Sequence, residues 1–144
     1  MRPNCSENAN FEGSILNCAS PIGKPQYGRL TILVAEDDIL VRMMVTEELR
    51  KQGFNVAEAK NADEALSIFH SGVPIHLVLT DIQMPGPHDD VRLAATIRAE
   101  YPDVKLVVAS GHLPEKELRQ EVDGFVLKPY NISKLVSFIK ALLD

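Results

Sequence analysis

The sequence predicts a doubly wound α/β fold built on a five-stranded parallel sheet. Two observations predict it. From Leu30 onward, short β-rich apolar runs alternate with segments of helical spacing, in five β-α units. Three of those runs are nearly continuous in apolar residues, which fits strands buried on both faces. Strands alternating with helices through short connections imply a parallel sheet with helices on both faces. A chain of 144 residues with 45% apolar content can bury one core of this kind.

Residues 1–28 are rich in Asn, Ser, Gly and Pro and show no sustained period, so a disordered tail is expected before a folded unit at 29–144. The first strand is expected at Leu30–Ala35. The helix after it, Ile39–Lys51, places Leu40, Met43, Met44, Val45 and Leu49 on one side. The second strand, Phe54–Ala59, leads to Asn61, an N-cap with Glu64 at the capping-box position, before Ala65, Leu66 and Phe69. The third strand is Ile75–Thr80. Its helix, Val91–Tyr101, carries Val91, Ala94, Ala95 and Ile97. The fourth strand, Val104–Ala109, precedes a short, charged helical segment at Pro114–Val122 whose one clear apolar position is Leu118. The fifth strand is Gly124–Leu127. Asn131 caps the last helix, which turns Ile132, Leu135, Val136, Ile139, Leu142 and Leu143 inward.

Composition narrows the function. Fifteen Lys and Arg against 20 Asp and Glu give a net charge of −5, which argues against a nucleic-acid binder. No apolar run approaches the ~18–20 residues of a membrane span. Cys5 and Cys18 both precede the folded unit, and neither a disulfide framework nor a zinc cluster is present in the pattern. The N-terminus lacks the apolar core of a secretory signal, so a cytoplasmic protein is expected.

A doubly wound sheet places its functional crevice at the carboxyl ends of the strands. Glu36, Asp37 and Asp38 follow the first strand, Asp81 the third, Ser110 with Gly111 and His112 the fourth, and Lys128 with Pro129 the fifth. Each piece has a plain structural reading: a helix cap, a turn aspartate, a surface lysine. Their joint placement on one rim is far more specific. Several carboxylates a few ångströms apart repel, and a hard divalent cation with oxygen ligands relieves them. Mg²⁺ suits a few carboxylates plus a phosphate, and Lys128 adds a second positive charge.

The segments Ile32–Asp38, Leu79–Gly86, Val108–Gly111 and Phe125–Pro129 resemble the receiver domain of bacterial two-component response regulators, over roughly residues 29–144. The resemblance implies a CheY-like, flavodoxin-type sheet with strand order 2-1-3-4-5. It implies that Asp81 accepts a phosphoryl group from a phosphohistidine, on a sensor histidine kinase or a histidine phosphotransfer protein. Asp37 would ligate Mg²⁺ directly, Glu36 through water, Asp81 by its carboxylate and Gln83 by its backbone carbonyl. Ser110 would bond the phosphoryl group, and Lys128 would neutralise it, with a cis bond to Pro129. Phe125 would be the switch aromatic, paired with Ser110. Gln83 and His112 stand where the family tunes dephosphorylation. Such a protein is a signalling phosphoacceptor that catalyses its own Mg²⁺-dependent phosphorylation and slow dephosphorylation, rather than an enzyme acting on another substrate.

Two features depart from the family pattern: the stretch from Ser110 to Lys128 is about one helical turn short, and Asp90 stands where Gly is common. No helix-turn-helix or basic patch follows the last helix. The expected form is therefore a single-domain regulator, monomeric or weakly dimeric, acting on an unknown output protein by contact. The alternative is a receiver-fold binding module or phosphate sink without its own output. A metal-dependent phosphatase would need a second acid beside Asp81, which Gln83 does not supply. No Gly-rich loop follows the first strand, which argues against a nucleotide or flavin.

Overall fold

The computed structural model describes residues 30–81, 90–111, 122–128 and 131–144. Its elements are β1 (Thr31–Ala35), α1 (Ile39–Lys51), β2 (Asn55–Ala59), α2 (Ala62–His70), β3 (Leu77–Asp81), α3 (Asp90–Glu100), β4 (Lys105–Ser110), β5 (Gly124–Leu127) and α4 (Ile132–Leu143). The expected helix at 114–122 falls almost wholly outside the described residues, as do the N-terminal tail, Gln83, His112 and the Lys128–Pro129 bond.

The five strands form one parallel sheet in the order β2-β1-β3-β4-β5. The chain leaves β1 toward β2 on one side and returns to β3 on the other, so the switch point lies between β1 and β3. Alternation along each strand builds two cores. Leu33 and Ala35 of β1, Val78 of β3, and Leu106 and Val108 of β4 face α2 and α3, where they meet Ala65, Phe69, Leu93, Ala94 and Ile97. Ile32 and Val34, Leu77 and Leu79, Val107 and Ala109 face α1 and α4, where they meet Val45, Leu49, Leu135, Val136 and Ile139. The inner strands β1, β3 and β4 are buried on both faces, as their unbroken apolar runs predict, while β2 and β5 form the partly exposed edges.

Helix ends follow their caps. The Asp38 carboxylate accepts from Leu40 and Val41 N–H, and Asn131 accepts from Lys134 N–H. Asn61 accepts from Glu64 N–H, and Glu64 in turn accepts from Lys60 N–H, one residue before the cap. After α1 the chain reverses at Gly53, whose φ is 102°. Phe54 N–H reaches Leu49 O and Gly53 N–H reaches Arg50 O, the paired bonds of a Schellman stop.

Two helical faces differ from expectation. Leu40, Met43 and Met44 are 67%, 46% and 57% exposed, and Ile39 is 59% exposed, whereas Val45, Thr46 and Leu49 turn inward. Apolar residues line two stripes of α1, and the sheet takes the one running through 45 and 49. On α3, Ala95 is exposed and Leu93 occupies the inward position. Both choices are made by the sheet surface, which spacing alone does not encode.

Candidate functional site

The carboxyl ends of β1 and β3 lie side by side, and each delivers a carboxylate to the switch point. Glu36 follows β1 directly, and its N–H donates to Ala59 O at the end of β2 over 3.0 Å. Its side chain is almost wholly buried. Oε2 accepts from Asp38 N–H at 3.0 Å and Oε1 from Lys128 Nζ at 3.0 Å. Asp81, the last residue of β3, is also buried, and its Oδ2 accepts from Lys128 Nζ at 2.8 Å. Lys128 arrives from beyond β5, held there by its own N–H to Ser110 O at 2.6 Å. One ammonium thus bridges two carboxylates from strands that are neighbours in the sheet.

Asp37 completes the group. Carboxylate oxygens of Glu36, Asp37 and Asp81 come within 4.8 Å of one another, with Asp37 exposed and the other two buried. Among the described residues, the three carboxylates share one bound ammonium, so the cluster itself carries excess negative charge. An exposed Asp37, all-oxygen donors and excess negative charge fit a small divalent cation such as Mg²⁺.

The electrostatics agree with that charge deficit. Burial pushes the Glu36 carboxyl above its ordinary range, and the nearby Asp81 charge adds to this; the Asp38 N–H and Lys128 oppose it without overcoming it. For Lys128, burial disfavours the ammonium, yet hydrogen bonds and charge from Asp81 and Glu36 outweigh it and hold the pKa above that of an ordinary lysine. Lys128 is therefore a fixed positive charge at neutral pH.

Ser110 ends β4 and is fully buried, one step beyond Ala109, which pairs with Asp81 in the sheet. Phe125 stands on β5 opposite Val108, partly exposed. It lines an open groove of about 450 Å³ with Leu127, Asn131, Lys134, Leu135 and Phe138. The structure thus gathers Glu36, Asp37, Asp81 and Lys128 into one cluster and places Ser110 beside it on β4. Phe125 lies one strand further out. Arg42, whose guanidinium donates to Glu36 O at 2.8 Å, is a residue that sequence reasoning missed, since no local spacing marks it.

The family model for the response regulator receiver domain matches residues 32–140. The chain belongs to this family. Receiver domains are phosphoacceptor signalling domains that interact with histidine kinases and phosphotransfer proteins.

Among curated relatives, the sensor kinase CckA of Brucella abortus is 32% identical over 81% of this chain and 13% of its own length. The transcriptional regulatory protein AruR of Pseudomonas aeruginosa is 32% identical over 78% of this chain and 48% of its own. This receiver therefore spans less than half the length of either protein. Among solved structures, the response regulator TrrA of Thermotoga maritima, in complex with Mg²⁺–BeF, superposes with a TM-score of 0.71 at 30% identity, covering 78% of this chain and 98% of that one. The receiver domain of NtrX from Brucella abortus gives a TM-score of 0.68 at 28% identity, covering 76% and 95%. No helix among the described residues is long and apolar enough to cross a membrane.

Proposed function

We propose that this receiver accepts a phosphoryl group on Asp81 from a phosphohistidine and signals by protein–protein contact. The observation that carries this reading is the Asp81 carboxylate at the end of β3, bound by Lys128 and grouped with Glu36 and Asp37 at the sheet's switch point. Glu36, Asp37 and Asp81 are the residues that would hold Mg²⁺, with the backbone carbonyl of Gln83 as a further ligand. The bound ion supplies positive charge to the oxygens of the incoming phosphoryl group.

Asp81 attacks as an ionised carboxylate and needs no general base. Its bond to phosphorus forms as the bond from phosphorus to the donor imidazole breaks, and that electron pair leaves with the imidazole. Phosphoryl transfer depends mainly on positioning and charge neutralisation, and Lys128 supplies both. Its ammonium fixes the acceptor beforehand and can pass to the phosphoryl oxygens afterwards. The Ser110 hydroxyl takes up a further phosphoryl oxygen from the end of β4. Ser110 moving toward that charge makes room for Phe125 to rotate inward, which remodels the groove between β5 and α4. Gln83 and His112 set the lifetime of the phosphorylated state.

The donor protein must cover the rim to reach Asp81. The exposed Ile39, Leu40, Met43 and Met44 begin directly after the cap Asp38, next to the acidic pair. Apolar side chains this exposed on a surface helix mark a contact face, and we assign it to the phosphodonor protein.

The test is to incubate the protein with Mg²⁺ and a small-molecule phosphodonor and measure its intact mass. A gain of one phosphoryl group, stable in acid and lost in base, is expected. No gain at any Mg²⁺ concentration would overturn the reading.

A further inference from the structure

We infer that Arg42 is a positioning residue of the acidic site, held in place by Glu58 on the edge strand. The inference rests on the reading that Glu36 and Asp37 hold Mg²⁺.

Arg42 lies on the second turn of α1, and its own N–H donates to Asp38 O at 2.9 Å. Its side chain is only 16% exposed. The guanidinium makes two bonds in different directions. Nη1 donates to the carbonyl of Glu36 at 2.8 Å, and Nε donates to Glu58 Oε1 at 3.2 Å. Glu58 stands on β2, paired in register with Val34 of β1. Its second oxygen meets Arg50 at 3.5 Å, and Arg50 is itself tied to Val56 O at 3.1 Å. The carboxylate is therefore anchored from two turns of α1, and the Arg42 fork is anchored by the carboxylate.

The bond to Glu36 O decides what this arrangement does. That carbonyl belongs to the peptide joining Glu36 to Asp37. Its orientation is set by ψ of Glu36 and φ of Asp37, the torsions through which the chain passes from one acid to the next, so fixing the carbonyl restricts how Asp37 is presented to the site. Glu36 N–H is already fixed to Ala59 O. Arg42 fixes the other side, so the residue carrying one acid and preceding the next is clamped to β2 by its N–H and to α1 by its carbonyl. A planar fork suits two acceptors in fixed directions; an ammonium does not reproduce it. Groups that orient metal ligands in this way typically change metal affinity by about 10–100-fold when removed.

Charge and position predict opposite outcomes. Arg42 places a positive charge against the Glu36 backbone carbonyl, on the chain segment that carries the acidic pair. If charge were its only effect, removing it would deepen the negative potential and tighten Mg²⁺ binding. If it positions the peptide, removal weakens binding.

Titrating Mg²⁺ into the full chain by calorimetry separates the two, with thermal melting as the check on folding. Arg42→Ala is expected to bind Mg²⁺ roughly tenfold more weakly than the wild type. Arg42→Lys keeps the charge and is expected to bind more weakly too, by a smaller factor. The Arg42→Ala/Glu58→Gln double variant should be no weaker than Arg42→Ala, because both substitutions break one strut. Equal or tighter binding by a folded Arg42→Ala overturns the inference. If Arg42→Ala does not fold, Arg42→Lys decides: wild-type affinity overturns it. Asp37→Asn is the control for the underlying reading. Wild-type Mg²⁺ affinity in that variant means that the metal assignment itself fails. Loss of affinity in Asp37→Asn with none in the Arg42 variants means that only the strut fails.

Discussion

At the scale of single residues, the site is an arrangement of charges that only makes sense together. Glu36 and Asp81 would repel if Lys128 did not stand between them, 3.0 and 2.8 Å away. Truncating Lys128 leaves two buried carboxylates without their shared counter-ion, and loss of one partner from a buried ion pair costs about 3–5 kcal/mol. Lys128→Ala should therefore lower stability in urea unfolding as well as slow phosphorylation. Unchanged stability would mean that the bridge seen here is not formed in solution.

A second charged residue acts far from the site. Asp123 opens the turn into β5 and accepts from Leu106 N–H at 2.8 Å and from Arg98 at 2.7 Å. Its partial burial disfavours the charge, yet these two donors and the positive charges of Arg98 and Lys105 hold its pKa below the ordinary value of 3.8. A depressed folded pKa means stability that is present above about pH 4 and lost as pH falls through the folded value. Asp123→Asn should thus cost about 1–3 kcal/mol at pH 7, and the gap to wild type should narrow toward pH 3. A gap that stays constant across that range would show that the carboxylate charge contributes nothing.

At the scale of elements, α1 carries the clearest division of labour. Its inward stripe packs on the sheet, its cap closes the acidic loop, and its outward apolar residues flank the rim. Leu40→Glu or Met44→Glu should cut phosphotransfer from a histidine kinase or phosphotransfer protein at least tenfold, a change of about 1.4 kcal/mol, while transfer from a small phosphodonor stays as in wild type. A parallel loss with both donors would place the defect in the site rather than in docking. On the opposite edge, Gly124 of β5 lies under the Phe138 ring of α4, and a Cβ there would collide with it. Gly124→Ala is expected to cost about 1–3 kcal/mol, relieved by Phe138→Leu. Thermal unfolding of both variants checks this.

Strands and helices differ in what the sequence discloses and what it withholds. The strands β1, β3 and β4 were legible because strands buried on both faces read as unbroken apolar runs. Once they were placed, Glu36, Asp37, Asp81 and Ser110 fell at their carboxyl ends, and Lys128 fell at that of the shorter edge strand β5. The face of α1 was not legible. Leu40, Met43 and Met44 form as good a stripe as Val45 and Leu49, and only contact with the sheet distinguishes them. Arg42 and Glu58 were equally hidden, since their pairing joins a helix to an edge strand and neither has an apolar period to reveal it.

At the scale of the whole molecule, the order β2-β1-β3-β4-β5 is what turns scattered residues into a site. It brings Glu36 and Asp81, from chain-distant strands, to one crevice, and sets Lys128 from beyond the far edge across both. Phosphorylation there adds about one to two negative charges beside Ser110 and the β5 edge. The central claim is that Asp81 is the group that takes the phosphoryl. The most direct measurement is borohydride trapping after incubation with Mg²⁺ and a small phosphodonor, with the modified residue located by peptide mass mapping in the wild type and in Asp81→Asn. The account predicts one trapped site, Asp81, in the wild type and none in a folded Asp81→Asn. A trapped residue elsewhere in the wild type, or full phosphorylation of Asp81→Asn, would contradict it.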